Sequence, residues 1–428
     1  MIKADLTGDV MELETVLAVA GLLVTVVAAV LAYAPQRLAS RERSVALFVR
    51  TRQHLRVRRP ELTTACHGVQ AEHRAHPELP LLTRPGWIPP RPLPLDAIRM
   101  TLREARPEER LNGSRATLHR YWPRGERTGR LTAYSAAIEA YDRPAVWFNG
   151  PSYRLLEVAA PPADAPEAGL DLTFSLSRYF DGLDTGEALA YEAALRDLRG
   201  RGKGGGRPSA GPYRRRLGSP FALGARAALP GVSTLTIRVE EGRPYFFLHR
   251  REAGKVAVAT GITHVVPAGE FQPHTDALPV WRSDLDLWRN TMREYAEEFL
   301  GAADATGDGG VTIDYERDQP YADFQRAVRE GRARVRFLGL GLDPLPWKPE
   351  ICLVCVWDAP AFDEIFAAMG ERNEEGVLVV GSRTGTAYQG IPFTEENVQG
   401  YATHPGTLAA GRTCLALTWR WRHELGLG

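Results

Sequence analysis

The chain has 428 residues, 44% of them hydrophobic and 25% charged, with a net charge of +1. That length exceeds a single hydrophobic core and predicts about two globular units plus extensions, while the near-neutral balance excludes a global electrostatic case for nucleic acid or an acidic substrate. The cysteines, Cys66, Cys352, Cys355 and Cys414, are too few and too scattered for a secreted disulfide framework and agree with a reducing compartment.

In chain order, residues 1–13 form a short N-terminus with Asp5, Asp9 and Glu12. Val16 to Ala34 then runs about nineteen residues without a charge, long enough to span a bilayer. A transmembrane helix is expected over 14–36. Arg37, Arg41, Arg43, Arg50 and Arg52 follow it, so the bulk of the chain is expected on the cytoplasmic side of the cell membrane, anchored by a single pass. Ala32-Tyr33-Ala34 imitates a signal-peptidase site, but the acidic residues ahead of it, the long apolar run and Pro35 argue against cleavage. Ala20-Gly21 and Ala28-Ala29 supply small residues for close packing between copies, so a homo-oligomer is an expectation. Residues 37–95 read as a basic stalk and a Pro-rich linker. Ala39 to Arg59 is either a basic helix lying near the inner leaflet or a plain stalk, and the prolines between Pro77 and Pro94 predict a semi-rigid spacer.

Residues 96–228 read as an α+β domain of unassigned role, with strands at Ile98–Glu104 and Tyr153–Ala159 and helices at Ala133–Tyr141 and Thr185–Leu198. Leu198 to Arg216 is Gly-rich and basic, either a phosphate grip or a solvated loop. Its Gly202-Lys203-Gly204 lacks the spacing of a P-loop. From 229 to 428 the alternation predicts strands at Thr234–Val239, Pro244–Arg250, Lys255–Val266, Arg334–Gly341 and Ile351–Trp357, then a closing helix over Pro405–Leu425. Cys352 and Cys355 fall on one of these strands, where residues three apart point to opposite faces, so their spacing is not a redox or metal signal. Asp304 to Val311 imitates the start of an EF-hand loop, but Tyr315 stands where a bidentate Glu is required, and the segment reads as a turn.

The chemistry concentrates in the helix that begins near Leu285. Leu285, Trp288, Met292, Tyr295 and Phe299 make one apolar stripe, and Glu294, Glu297 and Glu298 fall within an arc of roughly 100° on the opposite side, predicted to face solvent. Glu294 and Glu298 are a like-charge i,i+4 pair, a repulsion that a divalent cation would convert into ligation. A plain solvated face is the alternative.

Arg293-Glu294 and Glu297-Glu298, followed by Gly301, resemble the signature box of the Nudix family, and Val266-Pro267-Ala268-Gly269-Glu270 resembles the start of its glycine-led loop. The order of strands and helices over roughly 230–426 is similar as well. The loop departs from the family pattern: Pro279 and Leu285 occupy the places of its glycine and glutamate, and Leu300 takes the place of the glycine after the paired glutamates. The resemblance implies a Nudix-like α/β/α sandwich with a mixed sheet in the C-terminal half, preceded by the α+β domain and the membrane helix. It implies Mg²⁺ or Mn²⁺ held by Glu294, Glu297 and Glu298, with Glu297 or Glu298 sharing in base duty and a nucleotide-derived small molecule as substrate. Glu270 and His264 are candidates for substrate contact, and so is Arg293, although a salt bridge orienting the helix suits it better. Two readings follow. One is a pyrophosphohydrolase acting on a nucleoside diphosphate-linked substrate; the other is a Nudix-like receptor that binds a nucleotide signal and relays it to the membrane helix. The altered loop favours the receptor and the three glutamates favour the enzyme. Sequence-specific nucleic acid binding is not expected, since neither a helix-turn-helix nor a zinc signature is present.

Overall fold

The computed structural model describes residues 6–103, 118, 121–123, 125, 130–200, 211–251, 262–302, 312–369, 376–379, 383–384 and 387–428; of these, side chains before residue 39 are described only at 18, 19, 22, 23 and 25, and those of 251 and 376–388 are outside it. In chain order the first half holds helix α1 (Leu6–Gly68), strand β1 (Arg99–Arg103), α2 (Tyr134–Tyr141), β2 (Pro151–Ala159), β3 (Asp171–Arg178), α3 (Ala188–Gly200) and α4 (Pro212–Leu217). The second half begins with β4 (Gly231–Glu240), β5 (Arg243–Phe246), β6 (Leu248–Arg251), β7 (Thr263–Val265), β8 (Ala268–Glu270), α5 (Leu278–Ser283), α6 (Leu287–Glu298) and α7 (Tyr321–Arg329). It continues with β9 (Ala333–Leu342), β10 (Pro349–Asp358), α8 (Ala359–Ile365), β11 (Gly376–Val379), β12 (Arg383–Thr384), β13 (Ala387–Tyr388), β14 (Ile391–Pro392), α9 (Glu395–Thr403) and α10 (Ala409–Arg420). The basic run at 201–210 and the EF-hand-like segment lie outside the described residues.

The chain is of the α/β class with mixed sheets. The main sheet runs β14-β5-β4-β10-β9, with β8 pairing β4; β4 and β10 are parallel and β9 is antiparallel to β10. Alternate residues of the central strands feed two cores, as period-two patterning requires. Leu235, Ile237, Cys352 and Val354 pack with Cys414, Leu415 and Leu417 of α10, while Cys355 and Trp357 pack with Met292 and Tyr295 of α6, with Phe299 at its C-terminal end and with Phe324 of α7. The two cysteines therefore face opposite sides of β10, as their spacing predicts. Helices thus cover both faces of the sheet.

The first half carries a smaller sheet, β1-β3-β2, in which β1 runs parallel and β2 antiparallel to β3. Its core is continuous with the second half: Tyr153, Leu155 and Phe174 belong to one buried cluster with Phe271, Trp281 and Leu353.

Two expectations for residues 37–95 are corrected. The stalk is not a free basic helix. Phe48, Leu55, Leu62 and Cys66 of α1 are buried, Arg52 and Arg56 both reach Asp142, and Arg59 holds Glu187 at 2.7 Å. The Pro-rich segment is not a spacer either, because the outer edge of β9 captures it. The Leu82 and Leu93 amides donate to the Leu342 and Phe337 carbonyls at 2.9 and 3.0 Å, and Leu340 N donates to Trp87 O at 3.0 Å. Proline removes donors only at its own positions, so the residues between can still pair with an open strand edge. Among the described residues no helix is long and apolar enough to cross a membrane. The predicted span 14–36 lies within α1, where few side chains are described.

Candidate functional site

Helix α6 starts where Asp286 caps it, its carboxylate accepting the Arg289 amide at 2.9 Å. The apolar stripe lies against the sheet as predicted, with Tyr295 Oη 2.7 Å from Thr236 Oγ1. The opposite face is not solvated. Glu298 is only 8% exposed, and Glu294 and Glu297 are half-buried. Strands β8 and β6 cover Glu298: Ala268 N donates to its Oε1 at 2.9 Å, and His249 Nδ1 stands 3.4 Å from its Oε2. Glu294 presses on Gly269 so closely that a Cβ there would lie 2.0 Å from its Oε1. The absence of a side chain at Gly269 is what leaves room for the Glu294 carboxylate. Helical periodicity identified the polar face, but it carries no information about a short strand arriving over it.

Arg293 turns away from these carboxylates into a buried polar network. Its guanidinium donates to Asp284 Oδ2 at 3.1 Å, to Gln272 O at 2.5 Å and to the Tyr315 hydroxyl. His274 Nδ1 meets the same Asp284 oxygen at 2.6 Å. The role this supports is orientation of α6, and the candidate substrate contact at Arg293 is corrected accordingly. Burial works against the Asp284 carboxylate, but the hydrogen bond from His274 and the charge of Arg293 outweigh it and hold its pKa below the usual range.

Beside β8 lies a second polar cluster. Glu270 and Ala268 pair with Gly231 and Ser233 of β4 and share their side of the strand, whereas Gly269 between them faces α6. Glu270 accepts from Lys348 Nζ at 3.0 Å and from Ser152 Oγ at 3.2 Å. Ser233 Oγ lies 3.2 Å from His264 Nε2 and 3.5 Å from Glu350 Oε2. Gly231 floors the cluster, since a Cβ there would meet Glu350 Oε2 at 2.7 Å and Lys348 Nζ at 3.2 Å. His249 and His264 are cross-strand partners on β6 and β7, so they join the Glu298 end of the site to the Ser233 end. Burial opposes the Lys348 ammonium, but the carboxylates of Glu270 and Glu350 outweigh it and raise its pKa, so it is a cation at neutral pH.

Of the predicted site residues, Glu270 and His264 come together in this cluster, and Glu294 and Glu298 adjoin it across β8. Glu297 is half-buried on the same helix, near enough to Tyr321 of α7 for its charge to act there. Among the described residues no group of three His, Cys, Asp or Glu side chains converges to hold a metal ion. The Ala268 amide and His249 engage the two oxygens of Glu298. Sequence reasoning missed Lys348, Glu350, Ser233, Ser152 and His249. The one available signal was Lys348, one of only four lysines in a chain with 53 Lys and Arg residues, placed directly before a buried strand.

No protein-family model matches the chain, and comparison with curated proteins gives no match.

Proposed function

We propose that the chain is a Nudix-like nucleotide receptor anchored at a membrane, binding a nucleoside diphosphate-linked molecule at the cluster beside β8. The observation that carries this reading is the engagement of Glu298. A carboxylate that metal-assisted hydrolysis would need is instead a fastener between α6 and β8, and Lys348, which Glu270 holds at 3.0 Å, is the cation of the cluster that a phosphate would have to draw from that carboxylate. The salt bridges of Arg52, Arg56 and Arg59 support the relay, because they fasten α1 to the body that carries the site. The exposed Val19, Leu22 and Leu23 of α1 support an apolar environment for its N-terminal part.

Hydrolysis with Mg²⁺ or Mn²⁺ is the second reading. Its support is Glu294, which stands against Gly269, where the resemblance puts a metal ligand beside the loop glycine. The test uses the full chain, since α1 and the captured proline segment belong to the core. Binding of a panel of nucleoside diphosphate derivatives is measured with release of phosphate or mononucleotide, with either metal, beside Glu297→Gln. Binding without release is expected. Release that Glu297→Gln abolishes would replace the receptor with the hydrolase, and neither binding nor release would sink both.

A further inference from the structure

We propose that the connection 218–230 between α4 and β4 holds a phosphate group against the buried guanidiniums of Arg154 and Arg226. This site belongs to the first half of the chain and does not rest on the nucleotide reading above.

The observation that carries it is buried positive charge without a carboxylate to meet it. Arg154 and Arg226 are each only 1% exposed. Arg154 Nε donates to Arg226 O at 2.9 Å and Arg154 Nη2 to Gly224 O at 2.7 Å, so the first guanidinium lies against the backbone of the residue that carries the second. Arg226 Nη2 donates to Pro220 O at 3.1 Å, and its Nε is buried with no hydrogen-bond partner among the described residues. These acceptors are all backbone carbonyls of one loop. A carbonyl accepts a hydrogen bond but brings no net charge, whereas a cation taken out of water needs a counter-charge. Fastening the loop to β2 accounts for the hydrogen bonds of Arg154 and leaves the charge of Arg226 without a use. Asp181 acts on Arg154 without a hydrogen bond to it, and is itself held by Ser177 Oγ and Arg178 N at 3.0 Å each. The group that favours the Arg226 charge is a phenol, that of Tyr213, while Arg154 and Arg214 repel it. Burial therefore pushes the guanidiniums down, Arg154 to about 10 and Arg226 to about 9, and both remain cations at neutral pH. Ser175, the cross-strand partner of Arg154, adds a hydroxyl that is buried with no partner among the described residues. Cations and unmet donors together call for an anion with several acceptor oxygens, and the guanidinium fork matches those of phosphate. A metal ion or an amine would be repelled here, and an apolar ligand would leave the donors unmet.

The experiment titrates the full chain and its Arg226→Met variant with inorganic phosphate and with AMP at constant ionic strength. Calorimetry gives the dissociation constants, hydrogen exchange the place of binding and urea denaturation the stability. Phosphate is expected to slow exchange at the amides of 219–228 in the unaltered chain and to raise its urea midpoint as concentration increases. Arg226→Met is expected to weaken phosphate about tenfold or more, the scale of one charge-assisted hydrogen bond. In phosphate-free buffer the variant should be no less stable than the wild type, because an apolar side chain replaces a charge without a counter-ion. AMP that binds where inorganic phosphate does not, and protects the same amides, would support the site and assign the phosphate group to an ester. Protection confined to β8 and residues 345–350 would place the phosphate at Lys348 and overturn the site, as would absence of binding by either ligand. A loss of stability in Arg226→Met that is equal with and without phosphate would also overturn it, leaving the guanidinium a structural fastener. The exchange measurement uses the unaltered chain, so it decides the matter even where the variant fails to fold.

Discussion

Asp284 accepts from His274, Arg293 and Tyr315 in a region closed to solvent. A buried ion pair adds little over an apolar substitute, but removing one partner strands the other charge at a cost of about 3–5 kcal/mol. Arg293→Met should lower stability by about that amount, read as a shift in the urea midpoint; a change under about 1 kcal/mol would show that Asp284 finds other partners. The pH dependence has a definite sign. The folded-state pKa of Asp284 is depressed, so its contribution is complete above the unfolded value of about 3.9 and is lost as pH falls through the lower folded value. The stability gap between the wild type and Asp284→Asn should therefore shrink below about pH 4 and stay level above it. Arg293 was legible as an orienting residue, because an arginine beside a glutamate row has an obvious use. Its acceptors were not, since Gln272, Asp284 and Tyr315 meet only after the chain turns at α5.

Strands β4, β9 and β10 and helix α6 were legible because side-chain periodicity reports burial directly. Strand β3, the centre of the smaller sheet, carries the same signal, Leu172, Phe174 and Leu176 alternating with Thr173, Ser175 and Ser177. The proline segment is a different case. Its attachment to β9 is made by backbone amides, and side-chain composition is silent about those. The close approach is visible at Gly341, where a Cβ would lie 2.7 Å from Leu81 Cβ and 3.2 Å from Leu82 O. Gly341→Ala should push the segment off the strand edge, losing about 1–3 kcal/mol as an overpacked contact does. Hydrogen exchange at Leu82 and Leu93 should accelerate relative to the β10 amides. Equal exchange in variant and wild type would mean that the strand yields and the segment stays.

At the scale of the molecule, α1 is one continuous helix from Leu6 to Gly68 with two environments. Its C-terminal part is fastened to the body by Arg52, Arg56 and Arg59, whose partners Asp142 and Glu187 lie so far along the chain that no local pattern announces them. Its N-terminal part leaves Val19, Leu22 and Leu23 exposed at 54%, 68% and 61%. Apolar residues at that exposure are disfavoured in water, and if this part lies in a bilayer the same residues become favourable. The full chain should then float with phospholipid vesicles in a density gradient. Leu22→Arg together with Leu23→Arg should leave it in the aqueous fraction, since each arginine at mid-helix disfavours insertion by about 2.5–3.5 kcal/mol. The fastened end of α1 is untouched by these changes, so nucleotide binding should survive them. Recovery of the unaltered chain in the aqueous fraction would remove the membrane from the proposal and leave a second copy of α1 as the cover for these residues.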